Sequence, residues 1–232
     1  PAGMLLGETT KEYTFESCGE KLDMAELQEI WEAKLEPVYP YRKAGPTVEK
    51  INGSLTAPAA PKIGVAKPKV IIPVFPGTNC EYDTAKAFAR AGADPEILVI
   101  RNLTPADVTA SCEALVKAIG ESQIVMLPGG FSGGDEPDGS AKFIASFFRS
   151  PAVTEAVREL LQKRDGLMLG ICNGFQALIK LGLVPYGDIR PITAYDPTLT
   201  FNTIGRHQSM LVRTRVASTG SPWLSHCDAG SE

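Results

Sequence analysis

Histidine is scarce in this chain: His207 and His226 are the only two among 232 residues. No Cys-x-x-Cys pair accompanies them, so a structural zinc site has too few well-spaced ligands and no metal is expected. Long apolar runs are missing as well. The runs 70–75 and 97–100 fall far short of the roughly 20 residues a membrane helix needs, and no charged-plus-apolar leader precedes them. Charge of one sign does not cluster either, since 23 basic and 27 acidic residues interleave to a net charge of -4. That pattern argues against nucleic acid and against an anionic membrane as partners. The cysteines Cys18, Cys80, Cys112, Cys172 and Cys227 are odd in number and far apart. They suit free thiols in a reducing, cytoplasmic compartment better than a disulfide framework. No Met stands at Pro1, the expectation for a chain that begins inside a longer one.

What is present divides the chain in three. Residues 1–43 hold a short opening and a segment, 22–35, in which Leu22, Ala25, Leu27, Ile30, Trp31 and Leu35 recur at helical spacing. Asp23 offers an N-cap with Glu26 three positions on, and Pro37 and Pro40 stop the helix. Residues 44–68 turn to Gly, Pro, Ala, Thr, Ser and Lys, with Pro46, Pro58, Pro61 and Pro68 spaced so that neither helix nor sheet persists; this reads as a linker. Residues 69–232 alternate strands with helices. Strands are expected at 70–75, 97–100, 124–127 and 167–171. Pro73 argues for a strand end or an irregular edge. Helices are expected at 81–91, burying Ala85, Phe88 and Ala89, and at 173–181. Others carry the stripes Val108, Cys112, Leu115, Val116, Ile119; Phe143, Ile144, Phe147, Phe148; and Val153, Ala156, Val157, Leu160, Leu161. Continuous apolar strands separated by helices indicate an α/β fold, a three-layer sandwich around a mostly parallel sheet. Past residue 183 the signal weakens, and 209–216 alternates as antiparallel edge strands would.

Ligands of such sheets sit beyond the carboxyl ends of the strands, and two glycine-rich junctions fall at that end. One is Pro128-Gly-Gly130. The other is Gly170-Ile-Cys-Asn-Gly174, where Gly170 and Gly174 stand two positions either side of Cys172, as in a Gly-x-Ser-x-Gly nucleophile elbow. The helix opening at Asn173 directs its amide dipoles at the sulfur, which favours a thiolate. The backbone N–H of Asn173, with one from Gly129 or Gly130, would stabilise an oxyanion if the two strand ends are neighbours; each such donor is worth about 3 kcal/mol. Buried inert cysteine is the competing reading. Cys80, after Pro76-Gly-Thr-Asn79, lacks the paired glycines and reads as a structural or pocket-wall residue, and Cys18, Cys112 and Cys227 as structural. A Cys nucleophile also needs a base, and spacing identifies no partner for His207 or His226.

The segments Phe75-Pro-Gly-Thr-Asn-Cys-Glu81, Pro128-Gly-Gly-Phe-Ser-Gly-Gly-Asp135 and Gly170-Ile-Cys-Asn-Gly-Phe-Gln-Ala-Leu178 resemble the glutaminase domain of phosphoribosylformylglycinamidine synthase, a class I glutamine amidotransferase. The resemblance covers residues 69–232, with Phe201-Asn-Thr-Ile-Gly-Arg-His-Gln208 and Ser221-Pro-Trp-Leu224 similar to a later family segment. It implies a flavodoxin-like fold of the class I amidotransferases. By the same resemblance, residues 1–43 are the tail of the synthase portion with a connector helix, followed by the Pro/Gly-rich linker 44–68.

The resemblance implies that Cys172 attacks L-glutamine, forms a glutamyl thioester and releases ammonia. Gly130 and Asn173 match the oxyanion positions, and Gly129, Phe131 and Gln176 match those that hold substrate. Ammonia then passes to the synthase portion, which uses ATP and Mg2+ to convert formylglycinamide ribonucleotide to its amidine; no cofactor is implied for the glutaminase itself. The family's catalytic histidine and glutamate lie in a His-Gly-Glu motif that does not occur in this sequence. A glutaminase truncated before that motif, inactive or nearly so by itself, is therefore expected. Two other readings remain open on the residues alone: another Cys-elbow hydrolase or peptidase, and a noncatalytic docking domain that binds through its Pro-rich arm.

Overall fold

The computed structural model describes residues 3–4, 6–34, 36–37, 64–132, 141–199, 202 and 212–232. Most of the expected linker, residues 133–135 of the second motif, and His207 lie outside them.

The chain opens with a hairpin that the sequence reading did not contain. Strands β1 (Thr14–Ser17) and β2 (Glu20–Asp23) pair antiparallel around Cys18 and Gly19. Both turn residues have positive φ, 53° and 84°, as a two-residue hairpin loop with the strands' own twist requires. Helix α1 (Met24–Ala33) follows, so Leu22 belongs to β2 rather than to the helix. Asp23 caps it as expected, Oδ1 accepting from the Ala25 and Glu26 amides at 2.8 and 3.3 Å. No α1 side chain is buried, and Trp31 is 78% exposed. The apolar stripe expected of it faces solvent.

The main body is a parallel sheet of β3 (Lys69–Val74), β4 (Asp94–Val99), β5 (Ile124–Leu127) and β6 (Leu167–Gly170) in spatial order β4-β3-β5-β6. That is the flavodoxin-like order, with all four strands parallel and the order of strand addition reversing between β3 and β5. Period-two alternation sends Ile71, Val125 and Leu127 to one face, where they meet α3 (Pro105–Glu121), α4 (Lys142–Phe148), α5 (Pro151–Arg158) and α6 (Asn173–Leu181). It sends Val70, Ile72, Ile124 and Met126 to the other, where Ala85 and Phe88 of α2 (Glu81–Arg90) pack. Helices therefore cover both faces. Val70, Ile71, Ile72, Val125, Met126 and Leu127 are fully buried, which is why these strands read as unbroken apolar runs.

Several expectations need correction. Pro73 is the penultimate residue of β3, near a strand end as expected, although the strand is central and not an edge; pairing to β5 spans Val70 and Ile71 and ends before Pro73, so no N–H is needed there. Strand β4 starts at Asp94, three residues before the expected run, because backbone pairing with Lys69 continues past the apolar residues. Ala89 and Val108 are exposed, each on the outer side of its helix. Residues 212–216 form no strand. Among the described residues, the outer edge of β6 is met by a side chain, Trp223 Nε1 donating to the Met168 carbonyl at 3.0 Å; residues 209–211 of the expected edge lie outside them.

Two features fix the approach to β6. A π-helical turn, Glu159–Lys163, extends α5. Then Arg164 donates to the carbonyls of Ile119, Gly120 and Ser122 at 2.7–3.0 Å, capping the end of α3 with positive charge. Above this, Phe75 at the end of β3 packs edge-on against Phe143 and Phe147 of α4, with centroids 5.6 and 5.5 Å apart. The carboxyl ends of β3, β5 and β6 are thereby held on a rigid base.

Candidate active site

Cys172 stands between β6 and α6 with φ 53° and ψ −109°. Side chains other than glycine avoid this region, so the backbone here is strained by about 1–3 kcal/mol. Its thiol is exposed, as are Ile171, Phe131 and Phe175 around it. The flanking glycines have a steric cause. A Cβ on Gly174 would lie 2.0 Å from the Leu127 carbonyl oxygen, and one on Gly170 would lie 2.6 Å from the Gly174 backbone. Helix α6 is thus pressed onto the ends of β5 and β6. Its first turn is tied down by Gly174 N–H to Ile171 O and Gln176 N–H to Cys172 O, at 2.9 and 3.0 Å.

The loop after β5 comes to the same place. A methyl group on Gly129 would be 3.5 Å from Cys172 Cβ, so the two strand ends are neighbours. This loop is itself held by the loop after β3. Asn79 N–H donates to Gly129 O and Phe131 N–H to Gly77 O, each at 2.8 Å, making an antiparallel bridge between Thr78 and Gly130. In such a bridge the central pair is the non-hydrogen-bonded one, so the peptide groups of Gly130 stay outside the pairing. Glycine is needed on both sides: Gly130 has φ 127° and its Cβ would meet Asn79 N at 2.5 Å, while a Cβ on Gly77 would meet Phe131 O at 2.3 Å. Thr78 stiffens the turn, its N–H donating to Phe75 O at 2.8 Å and its Oγ1 accepting from Phe75 N–H at 3.0 Å.

A buried polar contact joins this loop to α6. Asn173 Oδ1 accepts from Ser132 Oγ at 2.7 Å and from Ser132 N–H at 3.3 Å, and Asn173 Nδ2 donates to Gln176 Oε1 at 3.3 Å. Ser132 and Asn173 are both almost wholly buried, and Gln176 half so.

Cys172, Gly129, Gly130, Phe131, Asn173, Gln176, Gly170 and Gly174 therefore gather at one end of the sheet. Gly77, Thr78 and Ser132 belong with them and were not picked out as site residues from sequence. Gly77 carried a signal in its Pro-Gly turn, and Ser132 lies within the Pro128–Asp135 motif, where no site role was read for it. Cys80 is exposed at the N-cap of α2 with φ 69° and ψ 14°. Cys18 and Cys227 are exposed as well, so the expectation that they pack structurally fails; Cys112 alone is partly buried, beside Ser150. No His hydrogen-bonds Cys172 among the described residues. A cavity of about 710 Å3 lies elsewhere, between α5 and residues 189–192, and is lined by Arg149, Arg158 and Arg190. These arginines serve the fold: Arg149 donates to Lys180 O, and Arg158 grips Asp188 at 2.8 and 3.0 Å, holding that carboxyl below its usual range.

A sharp strand-to-helix turn presenting a thiol, beside a second glycine loop at the carboxyl end of a parallel sheet, defines a Cys-elbow α/β domain. The model of the CobB/CobQ-like glutamine amidotransferase domain matches residues 67–230, and the chain belongs to that family. Within it, the chain is similar to the PurQ subunit of phosphoribosylformylglycinamidine synthase. It is 35% identical to that of Dehalococcoides mccartyi over 62% of this chain and 51% of the relative. To that of Rubrobacter xylanophilus it is 35% identical over 71% and 60%. The chain thus spans little more than half the length of these relatives. A solved structure titled PurLQS from Thermotoga maritima is 28% identical, covering 50% of this chain and 45% of that one, with a TM-score of 0.34.

Proposed function

We propose that residues 69–232 are the glutaminase portion of a phosphoribosylformylglycinamidine synthase and that Cys172 is its nucleophile. The observation that carries this reading is the strained, exposed Cys172 in contact with the Gly129 loop, in a chain of the glutamine amidotransferase family. The thiolate adds to the side-chain amide carbon of glutamine, forming a C–S bond and a tetrahedral oxyanion. The N–H groups of Gly130 and Asn173 stabilise that oxyanion. Collapse breaks the C–N bond, and ammonia leaves with a proton that water supplies in this chain, where the His-Gly-Glu motif does not occur; a second water then cleaves the thioester to glutamate and frees the thiol. Gly129, Phe131 and Gln176 hold the substrate. No cofactor enters this half-reaction.

The released ammonia is used by a synthase portion of the same enzyme, in the cytoplasm, with ATP and Mg2+ bound there. Residues 1–43 belong to that portion and 44–68 connect the two. The exposed stripe of α1 supports this reading, because Ile30 and Trp31 have no core of their own to enter.

Proton transfer limits the chain taken alone, since the His-Gly-Glu motif does not occur in it. It captures glutamine slowly and turns it over more slowly still. Acid-quenched mass spectrometry after exposure to glutamine tests this: the expected product is a glutamyl adduct on Cys172, absent from Cys172→Ala. Rapid, saturable ammonia release by this chain would refute the slow-turnover part, and an adduct formed equally from peptides or aldehydes would favour a peptidase-like elbow instead.

A further inference from the structure

The cavity of about 710 Å3 beside α5 has the size of a small-molecule site. One wall is a helical stripe, Pro151, Thr154, Glu155 and Arg158, on the side of α5 opposite the buried Val153, Ala156 and Val157. The facing wall, residues 189–192, is fixed without a ligand. Arg158 Nη2 donates to Ile189 O at 3.0 Å, Arg190 N–H donates to Leu181 O at 3.1 Å, and the Arg190 guanidinium lies over the Tyr186 ring.

Two of the guanidinium groups are only partly used by the fold. Arg149 spends Nη2 on Lys180 O at 2.6 Å, and Arg190 directs Nη2 at Asp196 Oδ1, 3.4 Å away. Among the described residues, Nε and Nη1 of both donate to nothing, and the Glu155 carboxylate accepts from nothing. Asp188 and Asp196 are taken up instead, the first by Arg158 and the second by Tyr186 and Thr193. Two donor forks, one carboxylate and an apolar lining of Pro151, Ile189, Pro191 and Ile192 thus share one cavity. Each part selects a different chemical group. The forks match the oxygens of a phosphate, the carboxylate accepts from hydroxyls and repels a further phosphate, and the apolar lining covers a ring.

We propose that this cavity binds a nucleoside monophosphate, its phosphate on Arg149 and Arg190, its sugar hydroxyls toward Glu155 and its base against Pro151, Pro191 and Ile192. The proposal is independent of the glutaminase reading, since Cys172 takes no part in it.

Titration calorimetry of the chain with adenosine 5'-monophosphate, adenosine and inorganic phosphate tests it. The expected result is one saturable site for the monophosphate, with adenosine and phosphate each about tenfold weaker or more, and with Arg149→Gln and Arg190→Gln each weakening the monophosphate about tenfold. Either substitution can disturb the fold, so position is read separately on the unaltered chain. Photolysis with 8-azidoadenosine 5'-monophosphate should label residues 149–158 or 189–192, and excess adenosine 5'-monophosphate should prevent it. Absence of saturable monophosphate binding would overturn the proposal, as would label found only elsewhere. Adenosine binding as tightly as the monophosphate would remove the role of the arginines, and phosphate doing so would reduce the site to one for simple anions; either result contradicts the assignment.

Discussion

Cys80 and Cys172 occupy equivalent places, each an exposed thiol with positive φ where a parallel strand turns into a helix. They differ in what surrounds them. Cys80 sits at ψ 14°, an ordinary left-handed conformation, whereas Cys172 sits at ψ −109°, outside any well that a side chain favours. Cys80 has Thr78 and Tyr82 two residues away; Cys172 has Gly170 and Gly174, whose missing side chains let α6 touch the ends of β5 and β6. Helix α2 buries no residue fully, while α6 buries six. A thiol beside a helix is thus common in this fold. An exposed thiol held in a strained turn by a helix pressed on the sheet occurs at one of the two junctions, and the packing behind it holds the strain.

The largest contrast is steric. Gly174→Ala places a methyl group against the Leu127 carbonyl and is expected to lower stability by about 3 kcal/mol or more. Tyr82→Ala, at the matching position of the other junction and exposed, should stay within about 0.5 kcal/mol. Urea midpoints measure both, and equal effects would show that α6 is not pressed on the sheet.

Backbone strain gives a smaller difference. Cys172→Gly relieves a conformation that only glycine adopts freely and should raise stability by about 1 kcal/mol while removing the thiol. Cys80→Gly should gain less. The comparison is valid where the denaturant slopes of the variants match, and a loss of stability at Cys172→Gly would mean the bend is not strained.

Smallest is the ion pair that ties α5 to the segment beyond α6. Its Arg158 partner lowers the Asp188 pKa, mainly by hydrogen bonding. A carboxyl lowered on folding adds stability above its unfolded pKa, about 3.9. That contribution fades as pH falls through the lower folded value. Asp188→Asn should therefore melt slightly below the parent at pH 7, with the gap closing under about pH 4. Both side chains are more than a third exposed, so the gap is small. A gap that widens in acid would reverse the assignment.

Where structure follows from local pattern, the sequence was readable. Strands β3, β5 and β6 announced themselves as apolar runs because both faces of the sheet are covered. The elbow was visible because Gly170 and Gly174 bracket Cys172 at the spacing that close helix–strand approach demands. The hairpin of β1 and β2 was not, since Thr14–Ser17 and Glu20–Asp23 hold one large apolar residue each and pair through the backbone. The Thr78–Gly130 bridge and the Ser132–Asn173 contact join residues about 40 to 50 positions apart. No periodicity records such loop-to-loop contacts, so Gly77 and Ser132 stood in quoted motifs while the contacts they make emerged only from the fold. Of the edge expected at 209–216, residues 209–211 lie outside the described residues and 212–216 form no strand, while the indole of Trp223 meets β6.

The central claim is the proposal that Cys172, alone among the five thiols, is the nucleophile for glutamine. Peptide mapping after limited treatment with 6-diazo-5-oxo-L-norleucine, with and without excess glutamine, tests it most directly. The account predicts one adduct, on Cys172, suppressed by glutamine but not by unrelated amides. Labelling that spreads to Cys80 and Cys227, or that glutamine leaves untouched, would contradict it.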